Sequence, residues 1–98
     1  MSRLSLDAYV VDVLLPDLVG HDRKPSAFLV YLHLLSAATR LRRDDVPLSL
    51  QTIAVRTGLS KSSVQAALRH LGRRGLVDAS QPATSTRVIR TVRRPWLR

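Results

Sequence analysis

Apolar residues recur at helical spacing in several stretches of the chain and at strand spacing near its end. Leu6, Val10, Val11, Val13 and Leu14 predict a short helix with an apolar face, started by Ser5 or Asp7. Pro16 ends or bends it, and Asp17-Leu18-Val19-Gly20 reads as one further turn. A polar connection, His21-Asp22-Arg23-Lys24, leads to Pro25, placed at or just before a helix start, where its missing N–H costs nothing. The strongest helical pattern follows, from Ser26 to about Arg42, with Phe28, Leu29, Tyr31, Leu32, Leu35 and Ala38 on nearby faces. A helix apolar over more than half its circumference belongs at the centre of a core. Arg40, Arg42 and Arg43 suit the negative end of its dipole.

Beyond it, Asp44-Asp45-Val46-Pro47 reads as a turn and Leu48 as a short bridge strand. Ser49 caps a helix from Leu50 to Thr57, Gly58 ends it, and Ser60 caps the next only two residues later. That helix, Lys61 to Arg74, turns Val64, Ala67, Leu68 and Leu71 inward, and Gly75 suits the position just past its end. Residues 76–80 read as a strand, 81–86 as a loop of turn residues and 87–93 as a second strand. In the latter, Val88, Arg90 and Val92 alternate with Ile89, Thr91 and Arg93, leaving one wet face. Arg90, Arg93 and Arg94 then read either as part of a binding surface or as the solvated side of an edge strand. Pro95 stops the ladder, and Trp96 is expected to seal a core or a subunit contact.

Charge changes this picture more than length does. The 98 residues suit one domain, and at this size only about 60–65% of the unfolded chain's surface is buried. The formal net charge is +9. In residues 1–45 the acids balance the bases, whereas residues 46–98 carry many bases and a single acid, Asp78. The whole excess therefore lies in the C-terminal half. A neutral scaffold beside a strongly basic surface points to nucleic acid first and an anionic membrane surface second. The apolar run at 27–38 is too short to span a bilayer, no secretory h-region is present, and no cysteine is available for a disulfide or a thiolate metal site. A cytoplasmic protein is expected.

The informative stretch is 48–77. Two helices joined by Gly58-Leu59-Ser60 must cross steeply, because so tight a turn cannot lay them antiparallel. Ile53 and Ala54 face the second helix, Leu59 plugs the corner, and Val64 and Leu68 complete the wedge. On Leu48-Ser49, Ile53-Ala54, Thr57-Gly58-Leu59-Ser60, Val64, Ala67-Leu68, Leu71 and Arg74-Gly75-Leu76-Val77, the chain resembles the winged helix-turn-helix regulators of bacterial transcription, of the broad GntR and MarR kind. The resemblance covers 48–77 well, extends forward to 93 and back through the helix at 26–42, and leaves residues 1–24 uncovered.

What the resemblance implies is a mainly α fold with a small β-hairpin wing, a helical bundle carrying a two- to three-stranded antiparallel sheet. One domain, 1–98, would then comprise an N-terminal extension (1–24), a core helix (26–43), the helix-turn-helix (49–74) and the wing (76–94). Residues 61–74 would be the recognition helix in the major groove of double-stranded DNA. The residues agree: its outward face carries Ser62, Gln65, Ala66, Arg69 and Arg73, flanked by Lys61 and Ser63. Serine and glutamine can read base edges, arginine can bind guanine bidentately, and Ala66 leaves room for a thymine methyl. Thr57, Ser60 and Ser62, near helix ends, suit phosphate oxygens, Ser49 is a further DNA-binding candidate, and Arg87 with the loop hydroxyls of Thr84, Ser85 and Thr86 would reach phosphate or the minor groove. Operators are usually read by two-fold dimers, so the apolar residues of 4–19, with Trp96, are expected to form a homodimer contact.

Other chemistry finds no support in the residues. His21, His33 and His70 lack metal-ligand spacing, with Asp22 the surface partner of His21 and His33 a partly buried packing residue. No phosphate-binding glycine loop and no nucleophile motif occurs, so no enzyme, no metal, no cofactor and no small-molecule ligand are expected. A plasmid or phage replication or partition factor and a winged protein-interaction module remain open as alternatives.

Overall fold

Helix α1, Pro25–Leu41, runs through the middle of the molecule, as its apolar circumference requires. Pro25 is its first residue, and Arg42 ends it in the left-handed region at φ 55°, donating its N–H back to Ala38 and Thr39. The computed structural model describes residues 3–80 and 89–97. Helices α2 (Leu50–Thr57) and α3 (Lys61–Arg73) pack on α1, and a three-stranded antiparallel sheet closes one side. The mainly helical architecture with a small antiparallel sheet is that of a winged helix-turn-helix fold. No helix among the described residues is long and apolar enough to cross a membrane.

The N-terminal segment keeps the expected outline, a short helix and one further turn, but not the expected winding. It winds as two π-helical stretches, Val10–Leu14 and Pro16–His21, joined at Leu15. Proline lacks an N–H and crowds the carbonyl four residues back, so an α-helical ladder cannot pass it unchanged. The wider ladder carries the chain through Pro16, where an end or a bend was expected, into the further turn. Only Val10, Leu14 and Leu18 turn into the core. Val11 and Val13, expected on the same apolar face, are exposed, and so is Leu29 on α1. Val30 and Leu34 take the fully buried places on α1 instead.

The sheet also corrects two expectations. Strand β1 is Asp45–Val46 and not Leu48, because Val46 is the side chain that the core can bury. The strand order is β1-β3-β2, with β2 at Val77–Ser80 and β3 at Ile89–Val92. Strand β3 is therefore central and not an edge: Val46 pairs with Arg90 on one side, and Val77 pairs with Val92 on the other. Its inner face is Arg90 and Val92, so Arg90 is buried where solvent or DNA was expected. Tyr31, fully buried on α1, donates its hydroxyl to the Arg93 carbonyl at 2.7 Å and ties the helix to the end of β3.

Trp96 closes the other end of the chain against its beginning. Its ring stacks on Tyr9 with centroids 4.7 Å apart, and its indole N–H donates to Asp7 at 3.1 Å. Of the two roles expected for it, an intrachain seal is the one this contact provides.

Candidate nucleic-acid interface

The α2–α3 corner is built from local signals. Ser49, in an extended conformation, accepts a hydrogen bond from the Thr52 N–H at 3.1 Å and starts α2. Gly58 ends it at φ 78°, a conformation that favours glycine. Ser60 repeats the first device, accepting from the Ser63 N–H at 3.1 Å to start α3. Ile53, Val64 and Leu71 are fully buried, and Ala54 and Ala67 nearly so, which brings the two axes together. Leu59 and Leu68 pack against that core from the half-buried rim.

With that face inward, α3 presents the other to solvent. Lys61, Ser62, Gln65, Ala66, Arg69 and Arg73 are all exposed along it, while Ser63 is half-buried. Ser49 and Ser60 are exposed but already engaged as caps, Ser60 also donating to the Ser63 hydroxyl at 2.9 Å. Thr57 is half-buried and donates to the Ile53 carbonyl at 2.7 Å. Arg87, Thr84, Ser85 and Thr86 lie outside the described residues.

A family model described as a helix-turn-helix domain matches residues 24–77, more than half of the chain. The chain belongs to that family. No curated protein and no solved structure gives a significant match. A helix-turn-helix domain points to DNA as the partner, and the electrostatics of this one sort its cations into two groups.

Among the described residues, Lys61, Arg69, Arg73 and Arg56 make no hydrogen bond or ion pair through their side chains. The remaining described arginines of the basic half are committed elsewhere. Arg90 is 7% exposed and donates to the Leu48 carbonyl at 2.7 Å; burial lowers its pKa from the usual arginine value. Arg93 binds Asp78 at 2.6 Å, and Arg94 binds Asp44 at 2.6 Å. Arg74, one residue past α3, is held by Asp17 and, at 3.0 Å, by Asp22.

Asp22 is the hub of the N-terminal contact with α3. It receives His21 at 2.9 Å and His70, on the inner flank of α3, at 2.7 Å. Those hydrogen bonds, followed by the Arg74 charge, hold its carboxyl down at about 2. The expected His21–Asp22 surface pair is thus one edge of a larger network. Asp17, His21 and Asp22 each bring one ligand-type atom within 4.8 Å of the others. Both carboxylates, however, are already engaged by Arg74, and Asp22 also by His70.

Two features of this surface escaped sequence reasoning. Arg56 stands exposed on α2, close to the turn, and was counted only as charge. A cleft of about 360 Å³ also separates α3 from the sheet, with Leu50, Leu68 and Val77 in its wall and Gln65 and Arg69 on its lining. Gln65 and Arg69 thus border an apolar recess as well as open solvent. Leu68, expected inward with Val64 and Leu71, is half-buried and lines this cleft.

Proposed function

We propose that this protein is a sequence-specific DNA-binding regulator of bacterial transcription, of the GntR and MarR kind, which inserts α3 into the major groove as a homodimer. The observation that carries the reading is the outer face of α3. It offers Lys61, Arg69 and Arg73 without partners among the described residues, beside Ser62, Gln65 and Ala66. Unpaired cations supply the salt-dependent attraction to phosphate, and the glutamine and arginine supply base-edge donors and acceptors. Ser49, Thr57, Ser60 and Ser62 serve phosphates near the helix ends, and Arg87 is a further candidate contact.

The homodimer is supported by what the N-terminal segment leaves uncovered. Its inner residues are spent on α1, while Tyr9, Val11, Val13 and Val19 remain exposed on the outside. In this reading the protein works in the cytoplasm, performs no catalysis and needs no metal or cofactor. Selection of bound sequences from random duplexes, followed by titration at several salt concentrations, tests it. The expected result is an inverted repeat with half-sites about one helical turn apart. Salt-sensitive binding without any motif indicates an architectural role, and absence of binding at low salt defeats the nucleic-acid reading.

A further inference from the structure

A second cleft, of about 390 Å³, opens on the side of α1 near the end of α2. Leu4, Leu29 and Leu32 give its lining an apolar part, and His33, Ser36, Arg40 and Arg56 a polar one, with Leu29, His33, Ser36 and Arg40 following one another along the same stripe of α1. Nothing in the DNA reading uses these groups together. Three properties set them apart. The His33 Nε2 is buried without a hydrogen-bond partner. Ser36 is 8% exposed, and its hydroxyl has no partner among the described residues. Arg40 and Arg56, from different helices, are likewise unpaired among the described residues. Buried polar groups are hydrogen-bonded as a rule, and the Ser36 hydroxyl finds no partner among the described residues, so a recess that sets it beside two guanidiniums equally unpaired there suits an outside acceptor.

We propose that this cleft binds a small amphipathic carboxylate, its head between Arg40 and Arg56 beside the Ser36 hydroxyl, its hydrocarbon on Leu4, Leu29 and Leu32. Guanidinium matches carboxylate geometry, and the volume lies within the about 300–1,000 Å³ common for small-molecule sites. Burial, then Arg56 and Arg40, lower the His33 pKa from its ordinary value, so the positive field at the recess is uncompensated. A bound carboxylate compensates it. The edge of the cleft is Thr57, whose hydroxyl holds the last turn of α2 beside Gly58. Occupancy therefore bears on the α2–α3 corner; that consequence rests on the DNA reading, whereas binding itself does not.

The test titrates the full chain, without DNA, with octanoate and benzoate, followed by backbone and imidazole NMR and by calorimetry. Octanol and inorganic phosphate serve as comparison probes. Saturable shifts at Leu29, His33, Ser36 and Thr57 are expected, with the His33 titration moving upward as the carboxylate offsets Arg40 and Arg56. Arg40→Gln and Arg56→Gln, both at exposed positions, should each weaken octanoate about tenfold, the scale of one charge-assisted contact. Leu29→Ser should weaken it through the apolar wall, with circular dichroism verifying the fold of each variant. Absence of saturable shifts overturns the proposal, as does octanol binding as tightly as octanoate. Phosphate binding as tightly as octanoate reduces the cleft to an anion patch and also overturns it. If Arg56→Gln weakens duplex DNA but leaves octanoate binding unchanged, Arg56 belongs to a DNA phosphate and the proposal fails.

Discussion

The arginines of α3 and those around β3 have the same chemistry and opposite fates. Arg69 and Arg73 project from α3 with no partner among the described residues, whereas Arg93 and Arg94, at the end of β3, are neutralised by Asp78 and Asp44. Arg90 goes further and is buried under the sheet, its guanidinium spent on the Leu48 carbonyl. Only at its C-terminal end does α3 meet acids, where Arg74 and His70 reach Asp17 and Asp22 of the N-terminal segment. The difference teaches that net charge counts residues, while a binding surface depends on which charges have been used up inside the molecule. The acids of the neutral half are folded back onto the basic half selectively. They leave Lys61, Arg69 and Arg73 along α3, with Arg56 on α2, as the described cations of the basic half without a partner.

That contrast is open to test by substitution, and the effects should be graded. Arg90→Ala should be the most damaging, at about 3 kcal/mol of stability in urea unfolding, because it removes packing and strands a carbonyl near the sheet. The DNA salt slope should stay unchanged; a shallower slope would place Arg90 on phosphate after all. Asp22→Asn should cost about 2 kcal/mol, since Arg74 and His70 both lose their carboxylate.

The same residue gives a pH signature. Its carboxyl sits at about 2 in the folded chain against an ordinary value of 3.8. Between those values the unfolded state binds more protons than the native one. The Asp22 contribution is therefore complete above the ordinary value and drains away as pH falls toward about 2. Stability measured from neutral pH down into this window should decline less steeply in Asp22→Asn than in the parent. Equal slopes would remove Asp22 from the acid response.

On α3 the prediction is reversed. Arg69→Ala should change stability by less than about 0.5 kcal/mol, as exposed sites do, yet cost about 1–3 kcal/mol of specific DNA affinity and relax the preferred sequence. Uniform weakening across all duplexes would assign Arg69 to phosphate. The smallest effect belongs to Arg93→Gln, whose exposed pair with Asp78 should contribute under about 1 kcal/mol. A double-mutant cycle with Asp78→Asn measures that coupling, and a value above 2 kcal/mol would show that the pair is not an ordinary surface pair.

How far each part was legible follows from the range of its interactions. The boundaries of α2 and α3 could be read because Ser49 and Ser60 bond to N–H groups three residues away and Gly58 needs only its own φ. The outer face of α3 followed from the spacing of Val64, Ala67 and Leu71. The N-terminal segment was harder: five apolar residues suggested one face, but Pro16 altered the winding and the core took Val10, Leu14 and Leu18. The cleft beside His33 gave no sequence signal, because Arg40 and Arg56 meet only through the packing of α2 on α1.

By itself the sequence determined the helix-turn-helix and the residues that α3 turns outward, since capping and 3.6-residue periodicity operate within a few residues. Tertiary structure alone decided which cations remain free. Asp17, Asp22 and Asp44 meet their partners across 48 to 57 positions, and Arg90 turns inward because β1 and β2 flank β3. No local pattern encodes such pairings, because two distant side chains become neighbours only when the whole core has formed.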